Sequence, residues 1–352
     1  MLAFNRGEWS EIYGVLFLLV KPKMQIVDSD LNFITDELYR IENIIFNSSI
    51  KLEYKIINNT ICFFANGKKV KDYNSYELNI IRKELLEKIV HSPKGTGSFE
   101  IPNLNDFLNE FTHDTVLKSV SQNKEDINIV VFDNKRALTK ELSYSVKSSL
   151  GSPATILNSS QNTNFEYIVE NLDLRYINEI NRIQSKTKLL ERIHAILTYG
   201  GIIRFNKVLS DSFEYNLKMI DSNLPKYLGN ALLYSYMESN KNLQEIFFKA
   251  NKFDDEILSD KKLGDFLLGI SFGFIPGTKW NGNFSVNGGF LLVLNNGEVV
   301  VLDLVYYKDE VRKYLIKNSK LDSPSSTRYH MLELKERNGQ VYFTLNLQVR
   351  YK

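Results

Sequence analysis

Apolar residues recur at helical spacing in two stretches of the N-terminal third of the chain. Residues 7–19 follow an amphipathic helical pattern, and residues 76–90 repeat it. Between them, residues 50–72 contain short strand-like runs separated by the turn sequences Asn58-Asn59 and Asn66-Gly67. The pattern therefore predicts a helix, several short strands and a second helix.

Strand and helix patterns alternate again after a polar loop predicted at residues 91–102. Two segments, 126–132 and 142–148, alternate apolar and polar side chains on either side of a polar turn, which predicts a β-hairpin. A long helix is predicted over residues 172–200, and shorter helices continue to about residue 270. The tail returns to strand patterns, which cover residues 289–294, 298–307 and 341–351.

The length of 352 residues allows one large core or two modest ones, and we expect two. We place the boundary near residue 205, between an α/β half (1–205) and a mixed C-terminal half (206–352). The apolar stretch at residues 12–20 is too short to cross a bilayer and lacks the basic start of a signal peptide. The protein is therefore expected to be cytoplasmic.

The composition excludes several kinds of site. The single cysteine, Cys62, excludes an internal disulfide framework and a cysteine-based zinc site. The four histidines are scattered, which argues against a histidine-bound metal. The net charge of +2 is small for a nucleic-acid-binding protein. However, acids that hold a metal would offset part of a basic excess, so charge alone leaves DNA binding open.

The predicted hairpin carries the candidate chemistry. Because side chains alternate along strands, pairing the apolar faces of its two strands puts Asp126 and Lys147 together on the remaining face. A carboxylate there suits Mg²⁺, and a neighbouring ammonium group suits the orientation of the attacking water or the charge that develops on phosphorus. The same pattern is equally compatible with a strand-initiating aspartate and a solvated edge lysine.

A second carboxylate for the metal is not supplied by the hairpin motif, because Ser145 stands two residues before the lysine. The first helix offers Glu8 and Glu11, one turn apart, although both would also favour the positive start of a helix. Asp133 is a further candidate metal ligand. It ranks below Asp126 because it falls on the apolar face, near the turn.

The sequence after the hairpin strand resembles that of HpaII-like type II restriction endonucleases. Residues 145–159, SVKSSLGSPATILNS, match a family signature that follows an Asp-Ile-x-Ile strand. The opening helix GEWSEIY is similar to the family's first helix. Three tail segments also match, in the same order along the chain, and these are 288–289, 325–330 and 345–350. Tyr329 and Asn287 depart from the family pattern.

This resemblance implies a PD-(D/E)xK nuclease core, Mg²⁺ dependence, double-stranded DNA as substrate and a cognate DNA methyltransferase as functional partner. Carried over by position, the catalytic set comprises Glu8 or Glu11, Asp126 and Lys147, with Ser145 at the position of the usual acid. The metal ligands would be Asp126 with Glu11 or Asp133. The chain would then be a homodimeric type II restriction endonuclease, because a two-fold dimer suits a palindromic site.

The C-terminal half is expected to recognise DNA and to dimerise, which leaves catalysis to residues 1–205. Polar side chains that read base edges are candidates there, since arginine is the commonest reader of guanine. The DNA-binding candidates are Ser325, Ser326, Thr327, Arg328, His330, Gln348, Arg350 and, from the signature segment, Asn158. Two rival functions stay open: a repair or recombination nuclease of the same fold, and a DNA-binding protein whose nuclease site has decayed.

Overall fold

The computed structural model describes residues 2–47, 50–58, 60–92, 97–113, 124–151 and 153–352. The α-helices in this part of the chain are α1 (Arg6–Val20), α2 (Ser75–His91), α3 (Asn105–Thr112), α4 (Ile177–Asn181), α5 (Lys188–Thr198), α6 (Asp211–Ile220), α7 (Leu224–Met237), α8 (Leu243–Asn251), α9 (Glu256–Leu268) and α10 (Lys308–Asn318). The β-strands are β1 (Ala3–Phe4), β2 (Gln25–Val27), β3 (Phe33–Thr35), β4 (Tyr39–Asn47), β5 (Lys51–Ile57), β6 (Thr60–Ala65), β7 (Lys68–Asn74), β8 (Phe99–Glu100), β9 (Ile127–Asp133), β10 (Leu138–Ser148), β11 (Thr155–Leu157), β12 (Asn164–Glu170), β13 (Ile202–Val208), β14 (Gly289–Val293), β15 (Val299–Asp303), β16 (Ser319–Leu321), β17 (Lys335–Arg337), β18 (Gln340–Asn346) and β19 (Val349–Tyr351).

The N-terminal prediction is confirmed by α1, α2 and the three strands β5 to β7 between them. Asn59, in one of the predicted turns, lies outside the described residues, as do residues 93–96 of the predicted loop. The rest of that loop contains the short strand β8. None of the described helices is long and apolar enough to span a membrane.

Helix α1 begins at a capping box. The Asn5 side chain accepts a hydrogen bond from the N–H of Glu8, and the Glu8 side chain accepts one from the N–H of Asn5. Beyond this start the helix is buried almost all round, which is more than an amphipathic pattern predicts. The reason is that α2 covers it as well, and Arg82 of α2 donates a 2.9 Å hydrogen bond to the Tyr13 hydroxyl.

The chain forms two compact units, each made of two segments. The first unit contains Met1–Ala154 and Phe284–Tyr314, and the second contains Thr155–Asn283 and Leu315–Lys352. The boundary predicted near residue 205 falls inside β13. The assignment of catalysis to residues 1–205 and of recognition to residues 206–352 concerns function and stays a prediction.

The first unit is built on a ten-stranded mixed sheet with the order β3-β2-β15-β14-β10-β9-β4-β5-β6-β7. Strand β10 lies near its middle, antiparallel to β9 and parallel to β14. Val146 pairs with Leu291, so both point to the same face of the sheet. Helix α1 packs on that face, because a Cβ on Gly14 would lie 3.3 Å from Leu291 and 3.6 Å from Val293.

The second unit has two smaller sheets and most of the later helices. The four-stranded sheet has the order β13-β12-β18-β17, and the three-stranded sheet has the order β11-β19-β16. Strands β12 and β13 were not predicted as strands. β12 lies between β13 and β18, so the tail of the chain completes a sheet begun near residue 164.

The predicted continuous helix over residues 172–200 is wrong. A short 3₁₀ turn leads into α4, and residues 182–187 separate α4 from α5. Two hydroxyl side chains in this interval, Ser185 and Thr187, donate to the Glu191 carboxylate at 2.6 Å. Such local side-chain hydrogen bonds compete with the helical conformation, which accounts for the break. The buried Arg192 guanidinium donates to the carbonyl oxygens of Asn181 and Ile183, which the break leaves without helical partners.

The predicted tail strands are present but shorter. Strand β15 ends at Asp303, where the carboxylate accepts a 2.6 Å hydrogen bond from the N–H of Tyr306 and turns the chain. The segment predicted as one strand over residues 341–351 is divided into β18 and β19. The helices and strands described above, including β4, β12 and β13, form a mixed α/β chain. This is the fold class that the sequence predicts.

Candidate active site and recognition segment

The predicted hairpin is formed by β9 and β10, with its turn at residues 134–137. The antiparallel register places Ser143 opposite Asn128, and Asp126 extends the ladder by donating its N–H to the carbonyl oxygen of Tyr144 at 2.9 Å. Since side chains alternate along both strands, Asp126 and Lys147 fall on the same face. This juxtaposition is the geometry that the sequence predicts.

Lys147 and Asp126 form an ion pair with 3.7 Å between Nζ and Oδ2. Ser145 lies between them, since its hydroxyl donates to Asp126 Oδ2 at 3.1 Å and accepts from Lys147 Nζ at 2.7 Å. The N–H of Val146 also donates to Asp126 Oδ2, at 2.7 Å. Asp126 and Lys147 keep 18% and 27% of their side-chain surface exposed, so both are open to solvent.

Further charged side chains surround this pair. Burial, reinforced by the Lys147 ammonium and opposed by Asp126, lowers the pKa of Lys124 to about 8. Burial also raises the pKa of Glu125, and the carboxylates of Glu141 and Asp126 add to that effect. Sequence analysis did not single out Lys124 or Glu125, although their adjacency to Asp126 was a usable signal. Charges of both signs thus lie close to Asp126.

Helix α1 carries the candidate acids Glu8 and Glu11. It packs on the face of the sheet opposite to that of Asp126 and Lys147. Arg6, in the first turn of α1, donates to the carbonyl oxygen of Leu150 at 3.0 Å, so the helix begins beside the end of β10. The Glu8 carboxylate caps the helix by accepting from Asn5. Glu11 is half-buried one turn further on. Among the described residues, no three His, Cys, Asp or Glu side chains are grouped to hold a metal ion.

Asp133 lies at the opposite end of β9 from Asp126, which puts roughly 23 Å of strand between them. Its buried carboxylate is bound by Lys140 Nζ at 2.6 Å, by the Tyr306 hydroxyl at 2.7 Å and by the N–H of Lys135 at 3.0 Å. Burial alone would raise the pKa of Asp133, but the hydrogen bonds from Lys140, Tyr306 and the N–H of Arg136 lower it. The structure does not bring Asp133 together with Asp126.

Asn287, which departs from the family pattern, has a structural role beside the Asp126–Lys147 pair. Its Oδ1 accepts the N–H of Ser143 at 2.9 Å, which ties the segment before β14 to β10. The two glycines that follow allow close approach: a Cβ on Gly288 would lie 2.5 Å from the Tyr144 ring, and one on Gly289 would lie 2.1 Å from a backbone oxygen of β15. Gly289 also has a φ of 118°, which disfavours other residues.

The predicted recognition segment is in the second unit and is largely open to solvent. Tyr329 is its buried member, with a hydroxyl 3.3 Å from Ser159 Oγ, so this departure from the family pattern anchors the segment. His330 and Leu332 have positive φ values of 48° and 54°. The exposed or partly exposed side chains of the segment are Ser325, Ser326, Thr327, Arg328 and His330.

The other recognition candidates differ in their access to solvent. Asn158 is exposed. Gln348 is 9% exposed and precedes β19, and its carbonyl oxygen accepts the N–H of Asp322 at 3.0 Å. Arg350 is paired with Asp322, with 3.3 Å between Nε and Oδ2. Asp322 thus links both residues of the last strand region to the chain just before Ser325.

The chain matches known proteins over nearly its whole length. The sequence model of the HpaII restriction endonuclease family matches residues 5–351. The type II restriction enzyme HpaII of Haemophilus parainfluenzae is 31% identical over 360 residues, and the alignment covers 99% of this chain and 98% of that protein. No solved structure matches the chain.

Proposed function

The chain belongs to the HpaII restriction endonuclease family and is a type II restriction enzyme; we propose that it hydrolyses double-stranded DNA with Asp126 and Lys147 at its catalytic centre. The observation that carries this proposal is the ion pair on the open face of the β9–β10 hairpin, bridged by Ser145. A carboxylate beside an ammonium group on adjacent strands suits metal-assisted phosphodiester hydrolysis.

Mg²⁺ is the proposed cofactor, and Asp126 is the residue that would hold it. Ser145, Val146 and Lys147 all approach the same carboxylate oxygen, Oδ2, so among the described residues Oδ1 would be the atom that holds a cation. Mg²⁺ in enzymes often has only one or two protein carboxylates and completes its shell with water and substrate phosphate. When bound, the ion would lower the pKa of a water molecule and polarise the scissile phosphate.

The remaining groups have distinct proposed roles. Lys147 would hold the attacking water or the developing negative charge on the phosphoryl oxygens, since Ser145 and the Val146 carbonyl oxygen fix its ammonium group at 2.7 and 2.9 Å. Glu8 or Glu11 of α1 is the proposed second carboxylate, and Glu8 also caps the helix. These assignments would make the first unit's sheet a PD-(D/E)xK core.

A plasmid digest tests the proposal. The purified protein should convert supercoiled DNA into discrete fragments with Mg²⁺ and should leave it intact with EDTA. Random or structure-selective nicking would instead indicate a repair or recombination nuclease. DNA that is retarded on a gel but never cut would indicate a binding protein, for which the serine at position 145 is the favouring observation.

The proposed partners follow from a palindromic target. A homodimer would place one active site on each strand, and a cognate methyltransferase would protect the host's own copies of the sequence. Base recognition is assigned to Ser325, Ser326, Thr327, Arg328 and His330 in the second unit, with Asn158, Gln348 and Arg350 as further candidates. Sequencing the ends of the digest fragments would identify the bases that these residues read.

A further inference from the structure

The second unit contains a cavity of about 400 Å³ that the catalytic proposal does not use. Three segments form it: residues 185–190 at the start of α5, residues 235–241 at the end of α7, and residues 321–326. The third segment runs directly into the proposed recognition segment 325–330. Ser326 therefore belongs to both the cavity wall and the proposed base-reading surface.

The lining of the cavity is basic. Three lysines contribute to it, Lys186, Lys188 and Lys241, and its single carboxylate, Asp322, is already paired with Arg350 at 3.3 Å. Elsewhere in the same unit lysines are neutralised by acids, as in the Lys249–Glu245 pair at 2.6 Å. Within the described residues no ion pair of that kind engages the three cavity lysines, so the cavity carries an excess of positive charge.

Hydroxyl side chains also line the cavity, but they are engaged. Burial raises the pKa of Tyr236, and the Ser323 side chain beside its enclosed hydroxyl opposes part of that effect. The Ser185 and Thr187 hydroxyls donate to Glu191 at 2.6 Å. The groups of the cavity that can still meet an anion are therefore its lysines.

We propose that this cavity binds one backbone phosphate of the DNA duplex, beside the base pairs that the recognition segment reads. The inference rests on the proposed function and extends it to a site outside the catalytic hairpin. A phosphodiester oxygen is a hydrogen-bond acceptor with negative charge, which matches the lysines that line the cavity. Phosphate contacts fix the register of a protein on DNA without reading sequence, and the shared Ser326 places this contact next to the proposed readers.

The salt dependence of DNA binding tests the proposal. The Lys186→Ala/Lys188→Ala double variant and wild type are titrated against a fluorescent duplex that contains the cut sequence, in EDTA, over a series of salt concentrations. Loss of one phosphate contact should reduce the slope of log affinity against log salt by about 0.9 and weaken binding about tenfold near 0.1 M salt. Preference for the cut sequence over a scrambled duplex should persist. Lys226→Ala removes an exposed lysine of the same unit outside the cavity and should leave the slope unchanged.

The melting temperature separates loss of binding from loss of folding. The Lys186→Ala/Lys188→Ala variant should melt at the wild-type temperature, because Lys186 is exposed and Lys188 is half-buried. An unchanged slope and unchanged DNA binding in this variant, while wild type still cuts DNA, overturn the phosphate site and leave the restriction activity standing. A wild-type protein that neither binds nor cuts duplex DNA overturns both.

Discussion

At the scale of single residues, Ser145 stands two residues before Lys147, at the position where a second hairpin acid was expected. Its hydroxyl joins Lys147 to Asp126 by two hydrogen bonds of 2.7 and 3.1 Å. A serine is a weaker metal ligand than a carboxylate, but here it fixes the ammonium group at a set distance from the acid. Under the proposed mechanism Lys147 is therefore preorganised, and the second acid must come from another element.

Replacement of Lys147 by alanine should slow DNA cleavage strongly and spare DNA binding. The ammonium group acts on charge that develops only in the transition state, so its removal should lower the cleavage rate by about 10²–10³. The rate is measured by single-turnover digestion, and binding is measured by gel retardation in EDTA. Lys135→Ala, on the turn of the same hairpin, should cut at the wild-type rate. Full cleavage by the Lys147→Ala variant would remove this lysine from the mechanism.

At the scale of elements, the far end of the catalytic hairpin is held by buried charge. Asp133 is fully buried, and Lys140, Tyr306 and backbone N–H groups of the turn bind its carboxylate. This network joins the hairpin turn to the segment after β15. Asp133, a candidate metal ligand by sequence, therefore has a structural environment that stabilises the strand carrying Asp126.

Asp133→Asn should destabilise the protein in a pH-dependent way. The folded-state pKa of Asp133 lies below its usual value, so its stabilising effect is complete above the unfolded-state pKa of about 4 and is lost as pH falls through the folded value. The variant leaves Lys140 without its buried partner and should lose about 3 kcal/mol at pH 7. Urea unfolding at pH 7 and near pH 3 measures both values, and the deficit should shrink at the lower pH.

An exposed pair provides the control for this variant. Asp36 is paired with Lys23 at 3.4 Å on the surface of the same unit, and Asp36→Asn should cost less than about 1 kcal/mol. If the deficit of Asp133→Asn were the same at both pH values, the ionised carboxylate would not be the source of the stability.

The break between α4 and α5 is a second element held by one side chain. Arg192 is 4% exposed and donates to the carbonyl oxygens of Asn181, Ile183 and Leu332 at 2.7, 3.0 and 3.0 Å. It thus fixes the backbone that follows the recognition segment. Arg192→Met keeps the packing but removes the donor of three buried hydrogen bonds, and it should lower the free energy of unfolding by about 2–4 kcal/mol. Arg182→Met, at an exposed position of the same break, should change it by less than about 0.5 kcal/mol, and equal losses in both variants would contradict the assigned role.

The sequence predicted well those elements whose pattern of apolar and polar residues lies within one short segment. The hairpin that carries Asp126 and Lys147 follows from alternation and a short turn, and β5 to β7 follow in the same way. The break at residues 182–187 did not, because the apolar pattern continues through it and the stabilising partner of the break is Arg192. The pairing of β10 with β14 also lay beyond local patterns, since those strands are separated by more than a hundred residues. The cavity near Ser326 has no sequence signal, because it depends on three distant segments.

At the scale of the whole molecule, the proposed homodimer makes a prediction that a monomer does not. If each subunit cuts one strand of a palindromic site, a dimer of one wild-type and one Lys147→Ala subunit should cut a single strand. Co-expression with a large excess of the variant should therefore convert supercoiled plasmid mainly into the nicked form, whereas wild type alone should yield linear DNA. Gel quantification of supercoiled, nicked and linear plasmid over time measures this difference. Because Lys147→Ala should still bind DNA, a monomeric enzyme in the same mixture would be slowed by competition yet would still proceed to linear product, and that outcome would contradict the dimer.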